Sequence, residues 1–273
     1  MTAYGLERTI FRLSKSRYAS NFTLKGGIFL YAVFDGSYSR ATTDIDLLAQ
    51  RISNDVDDMK AVFTDIFSLD VDDPLRFDLD SLEVHTITEF KEYHGVNVSI
   101  MAYLDRTRIP ISIDIGFGDV IVPKRVMIDF PVVLMDEKPR IYAYSLCSSV
   151  AEKFEAIVSL AYDNSRFKDY YDLYVLATSH DFPGTEMVEA VRKTFENRHS
   201  SLNEIVAFEA GFADNPLRQS RWNAFVKKKK ALLPITLQET IIMIQKFMLP
   251  VANAVLGNSK YDASWSHEQQ NWL

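Results

Sequence analysis

The chain predicts an α+β protein, with a mixed α/β first half followed by a helical second half. Three observations carry this. Before residue 120 several runs alternate apolar and polar residues with period two, as a half-buried strand does. From Ser145 onward the apolar residues recur every three or four positions, as one face of a helix requires. The 273 residues are 47% hydrophobic and 12% aromatic with ten Gly and nine Pro, which excludes disordered, collagen-like and coiled-coil chains.

Taken in order, residues 4–19 read as a helix, NFTL at 21–24 as a short strand, and GGIFLYAVF as an apolar helix. ATTDIDLLAQ at 41–50 alternates as a strand. Asn54 is placed to cap a helix over 55–68, whose Val56, Met59, Phe63, Ile66 and Phe67 share a face. SLEVHTI, VNVSIMAYL and IPISIDIGFGD follow as strands, and VIVP and FPVVLM as shorter ones at an edge. Leu146, Val150, Phe154, Ile157, Val158 and Ala161 then form a helical stripe, and Phe167, Tyr170, Tyr171, Tyr174 and Val175 another. Further helices are expected at 185–198, 201–213, 217–232 and 236–255, punctuated by Pro183, Pro216 and Pro234. The resulting division is a catalytic module at 1–140, a helical module at 141–256 that completes its cleft, and a polar tail at 257–273.

The class of protein narrows further. A lone cysteine, Cys147, excludes an internal disulfide framework and Cys-rich zinc modules, and the five histidines are scattered without an HExxH pattern. Cys147 reads as packing rather than as a nucleophile. No G-x-S-x-G elbow is present. No apolar run is read as approaching a membrane span of about 20 residues, and the start lacks a signal-peptide core. The expectation is a cytoplasmic protein without membrane contact.

The net charge of −7 argues against a general nucleic-acid coat, but its distribution is uneven. Residues 8–34 carry five bases and no acid, 55–92 twelve acids and three bases, and 215–238 six bases and no acid. Such blocks are usually solvated faces; the other reading is that the basic ones receive a polyanion and the acidic one a basic partner.

Chemistry resides in the carboxylates. Asp44 and Asp46 stand two apart in an alternating run, so both project from one face and can share a cation. Asp114, on another alternating strand, can add a third carboxylate. Oxygen ligands suit Mg²⁺ or Mn²⁺, held by one or two carboxylates plus substrate phosphates. DxD pairs are common, and the upstream Gly pair and partner Asp are what lift this one above chance. Gly26 and Gly27, after Lys25 and at the head of an apolar helix, would let backbone N–H groups approach a phosphate, although an ordinary strand-to-helix turn looks the same. Arg40 stands ready to hold a phosphate or to neutralise the Asp pair. In the helical half, Lys153 edges the core stripe, and Asp169 and Asp172 share a helix face in RFKDYYDLYVL. A salt-bridged surface helix is the competing account of that cluster.

The order LKGGIFL, SRATTDIDLL, ISIDIGFGD and VAEKFEAIVSLAYDNSRFKDYYDLYVL, over roughly residues 20–178, resembles the AbiEii/AbiGii-type nucleotidyltransferases. These are the toxin halves of type IV-style bacterial toxin–antitoxin and abortive-infection systems. The resemblance implies a polymerase-β-like core, a small mixed sheet with flanking helices, followed by a helical C-terminal module. It implies transfer of a nucleotide from an NTP to an acceptor, RNA such as the tRNA 3′ end, and a cognate antitoxin as partner. It assigns Gly26 and Gly27 to the triphosphate, and Asp44 and Asp46, preceded by Arg40, to the metal. Asp114 becomes the third carboxylate, Lys153 a contact to nucleotide phosphates, and Asp169 the functional member of its pair. Two departures stand out. Lys168 occupies the place of an Arg before Asp169, a point charge instead of a bidentate fork, and Gly27 stands where the wider superfamily often has Ser. The rival readings are a DxD glycosyltransferase acting on a sugar nucleotide and a non-catalytic binding protein on the same scaffold.

Overall fold

The computed structural model describes residues 1–38, 42–88, 94–134, 136–228 and 233–273. They fall into two compact units, Met1–Asp119 with Arg125–Tyr144, and Val120–Lys124 with Ser145–Leu273.

The first unit begins with helix α1 (Thr2–Lys15), strand β1 (Phe22–Lys25), helix α2 (Gly26–Val33) and strand β2 (Ile45–Ala49). Helix α3 (Val56–Phe67) is capped by Asp55, whose carboxylate accepts from the N–H groups of Asp57 and Asp58 at 2.9 and 3.2 Å. The cap is therefore one residue later than Asn54, and a carboxylate also suits the positive end of the helix. Long strands β3 (Leu75–Thr88), β4 (His94–Leu104) and β5 (Thr107–Phe117) follow, then short strands β6 (Val126–Asp129) and β7 (Arg140–Ala143).

Among the described residues these strands form one sheet in the order β3-β4-β5-β2-β1-β7-β6. The β2–β5 and β1–β7 pairs are parallel and the others antiparallel. Period-two burial leaves Ile109, Ile111, Ile113 and Ile115 of β5 and Val96, Val98 and Ile100 of β4 on one face. Helix α1 lies on that face so closely that a Cβ on Gly5 would come 2.7 Å from Ile109 Cγ2. Phe67 of α3 stacks on Phe77 of β3 at 4.7 Å.

The second unit packs α4 (Leu146–Leu160), α5 (Phe167–Ser179), α6 (Gly184–Asn197), α7 (Pro216–Lys228) and α8 (Leu237–Leu256) around Phe154, Tyr171, Val191, Ile244 and Phe247. Three short strands, β8 (Phe182–Pro183), β9 (Ser264–Ser266) and β10 (Asn271–Trp272), make a small antiparallel sheet. The polar segment 257–273 is thus folded. Trp265 is buried and donates from Nε1 to Ala177 O at 2.7 Å, and Trp272 lies on Phe247 and donates to its carbonyl at 3.0 Å.

Several expectations are corrected. VIVP is not a strand: the Val122 N–H and carbonyl bond to the hydroxyls of Ser145 and Ser148 instead of a ladder. FPVVLM forms no strand over its described residues either, whereas RIYA, unremarked in the sequence, is β7. Residues 201–213 hold only a 3₁₀ turn at Val206–Phe208, because Gly211 sits at φ +86 and the Ser201 hydroxyl accepts the N–H of Asn203. Helix α8 passes the length and composition test for a membrane span, contrary to the expectation that no run would. It carries Glu239, Lys246 and Pro250, and its Ile241, Ile244, Phe247, Met248 and Val251 are buried within the second unit.

Candidate active site

The first unit builds its site from the end of an inner strand, β1. Lys25 ends β1, and the chain turns at once into α2 through Gly26, at φ +66. No side chain caps α2, so the amides of its first turn lack helical partners and face outward. A Cβ at Gly26 would stand 2.5 Å from Asp46 Cγ and 2.8 Å from its Cβ. The turn is therefore pressed against the Asp46 carboxylate, and only glycine fits it.

The register then aligns a polar row across four strands. Lys25 is the Cα partner of Asp46, Asp46 of Asp114, and Asp114 of Asn97. Partnered residues share a face, so Asp46 and Asp114 stand side by side on the face away from α1, about 5 Å apart along the inter-strand direction. Asn97 donates from Nδ2 to Asp114 Oδ1 at 2.7 Å and to Ser112 Oγ at 2.9 Å, which fixes the orientation of the carboxylate. The Lys25 ammonium is 2.8 Å from Asp119 and 5.5 Å from the centre of the Tyr144 ring.

Asp44 stands just before the strand. Strand β2 begins at Ile45, so Asp44 is exposed at its lead-in, with its Oδ2 accepting from Thr43 Oγ1 at 3.1 Å. Among the described residues no three His, Cys, Asp or Glu side chains are already gathered around a common point for a metal ion. The donors that are present are carboxylate oxygens, two of them in register. That set fits a hard cation such as Mg²⁺, which keeps several waters and takes other ligands from substrate phosphates. Arg40 lies outside the described residues.

In the second unit, Lys153 of α4 is 2.6 Å from Asp172 and 3.4 Å from Asp169, both on α5, and Arg166 is 2.8 Å from Asp169. The Lys153 side chain is 9% exposed, Asp169 2% and Asp172 0%. The salt bridges are real, but they tie two helices together in the interior and do not decorate a surface. A phosphate reaching Lys153 competes with these carboxylates. Cys147 is also buried, and burial pushes its thiol up to about 12, which removes it as a nucleophile at neutral pH.

Two participants were not singled out in the sequence. Asn97 could have been found there: Leu104 pairs with Thr107 across a two-residue turn, and counting back along the hairpin puts Asn97 opposite Asp114. Asp119 had no comparable signal, because its partner Lys25 is 94 residues away.

The fold resembles that of JHP933 from Helicobacter pylori, with 14% identity, a TM-score of 0.53 and coverage of 93% of this chain and 92% of that one. It also resembles a candidate nucleotidyltransferase from H. pylori, at 14% identity and a TM-score of 0.52, covering 94% of this chain and 96% of the other. No curated protein sequence matches significantly. Residues 8–242 match the family described as nucleotidyl transferase AbiEii toxin, type IV toxin–antitoxin system. A match over most of the chain settles the kinship: this protein belongs to the AbiEii nucleotidyltransferase toxin family.

Proposed function

We propose that the protein transfers a nucleotide from an NTP to the 3′ end of an RNA, with tRNA as the acceptor class, and that it does so in a metal-dependent way. The observation that carries this is the row Lys25–Asp46–Asp114–Asn97, with the Gly26 turn closed against Asp46. It brings a glycine turn at a helix start, a feature that suits an anion, beside a pair of carboxylates. Family membership sets aside the sugar-nucleotide reading, and the intact carboxylates speak against a scaffold that has lost its chemistry.

The first-turn amides of α2, beginning with Gly26 and Gly27, hold triphosphate oxygens and stabilise charge as it develops there. Lys25 adds a positive charge beside the turn and is kept in place by Asp119 and Tyr144. Asn97 holds Asp114 so that its second oxygen faces the acceptor hydroxyl and can take its proton. In-line attack of that hydroxyl on the α-phosphate then releases pyrophosphate. Asp44, Asp46 and Asp114 would hold Mg²⁺ or Mn²⁺, which supplies charge neutralisation of the phosphates. Lys153 and Asp169 support nucleotide binding from their own helical unit, and a cognate antitoxin and cytoplasmic residence belong to the same reading.

The test is incubation with each of the four α-labelled NTPs and total RNA, with and without chelator. Label should enter a tRNA-sized species, vanish with EDTA and return with Mg²⁺ or Mn²⁺. Asp44→Asn and Asp46→Asn should each lower transfer by roughly a hundredfold or more, since each removes several kcal/mol of charge stabilisation. Full turnover in either folded variant would overturn the assignment.

A further inference from the structure

The face of the sheet that carries Asp46 and Asp114 extends well beyond them. Along β4 and β5 the same-face positions run from Asn97 and Asp114 through Ser99 and Ser112, then Met101 and Pro110, to Tyr103 and Arg108. This strip carries no charge between Asp114 and Arg108. At its far end Arg76 of β3 pairs in register with Tyr103, and Tyr103 with Arg108, giving a row of Arg, Tyr and Arg across three strands. The Arg76 guanidinium carbon is 4.7 Å from the centre of the Tyr103 ring. Arg76 and Arg108 are exposed, and Tyr103 is half-buried between them. Arg106, in the adjoining turn, is also exposed. Asp78 and Asp105 stand nearby, so the row suits one or two phosphates and not a broad polyanion.

From this arrangement we infer that Arg76, Tyr103 and Arg108 form a docking platform for the single-stranded 3′ segment of the acceptor RNA. With the Arg76 guanidinium laid over its ring, Tyr103 gives an aromatic–guanidinium layer on which an unpaired base can stack, and the arginines offer their charge to the adjoining phosphates. Six residue steps of strand separate Arg108 from Asp114, about 20 Å. The last few nucleotides can cover that span in extended form and bring their terminal hydroxyl to Asp114. The floor of Ser99, Ser112, Met101 and Pro110 is itself uncharged, and Asp78 and Glu83 of β3, paired with Met101 and Ser99, border it on one side. The inference rests on the nucleotidyl-transfer reading for its direction, but the platform can be tested without any chemistry.

The experiment measures binding of a fluorescently labelled, unpaired oligoribonucleotide to the full chain by anisotropy over a salt series, with no NTP present. In Arg76→Gln/Arg108→Gln the affinity should fall, and the slope of log K against log salt should flatten by about 1.4, since each lost contact to a single strand is worth about 0.7. In Tyr103→Leu affinity should drop about fivefold to a hundredfold, the range for losing one stacked base, with the salt slope unchanged. All three side chains lie on the outer face, so thermal midpoints should stay near that of the unsubstituted protein, and a melt of each variant verifies it. Undiminished binding in both variants, an unchanged slope in the double arginine variant, or no binding by the unsubstituted chain overturns the platform. Label transfer is scored separately. Weakened RNA binding in these variants without any transfer activity would retain the platform and sink the transfer reading; transfer with undiminished binding would do the reverse.

Discussion

A methyl group at position 26 has nowhere to go. It would overlap the Asp46 carboxylate, and the backbone there sits at φ +66, where only glycine is unstrained. Gly26→Ala should therefore cost about 1–3 kcal/mol of stability and displace Asp46 from the row it shares with Asp114. The expected outcome is a lower urea midpoint together with a loss of transfer larger than the loss of folded protein explains. Retention of full activity would show that Asp46 need not sit against the turn. This is also the residue at which sequence reading came closest to the structure. The Gly pair before an apolar helix was legible as a strand-to-helix turn, but the reason for glycine is a carboxylate 20 residues away, visible only after β1 and β2 pair.

At the scale of elements, hydrophobic period was a dependable guide where helices or strands were long. Helices α1, α2, α4, α5, α6 and α8 and strands β4 and β5 all lie where their apolar periodicity places them. It failed in short apolar stretches such as VIVP and 201–213, where serine hydroxyls or a left-handed glycine compete for the backbone. The α4–α5 contact shows a second limit. Spacing placed Asp169 and Asp172 on one face but left open whether it was a functional cluster or a salt-bridged surface, and the structure buries that face against Lys153. Lys153→Met strips Asp172 of its 2.6 Å ion pair and leaves a buried carboxylate, so it should destabilise by about 3–5 kcal/mol. Thermal unfolding and nucleotide binding measured on the same sample separate the two roles. An unaltered melt with lost nucleotide binding would reserve Lys153 for phosphate; a large fall in the melt assigns it to the helix pair.

Over the whole molecule, the uneven charge resolves into pairing inside the first unit. The basic block at 8–34 and the acidic block at 55–92 are each other's partners in part: Arg8 and Arg12 of α1 lie 3.2 and 3.3 Å from Asp73, and Arg17 pairs with Asp65. Arg8 and Arg12 are buried, so neither a solvated face nor a polyanion site describes them. Burial also pushes the Glu7 carboxyl above its usual range, although it accepts the Val133 N–H at 2.6 Å. Asp73→Asn keeps the shape but removes the charge shared by two buried guanidiniums, and should cost about 3–5 kcal/mol in urea denaturation. A cost under about 1 kcal/mol, the range of exposed pairs, would mean these arginines are stabilised in some other way. The basic run at 227–230 remains a candidate polyanion contact; its residues 229 and 230, like Arg40, lie outside the described residues.

The sequence by itself determined the class of the fold and the kinship its motifs announce, and it offered Asp44, Asp46 and the Gly turn as candidates. These are local properties: a period of two or 3.6, a glycine at a strand end, a carboxylate spacing of two. Tertiary structure decided which carboxylates stand together, because the β2–β5 register joins Asp46 to Asp114 across 68 residues of chain and no local pattern encodes a parallel pairing. It also decided which charges are spent internally, since desolvation depends on what packs above a side chain and not on its neighbours in sequence.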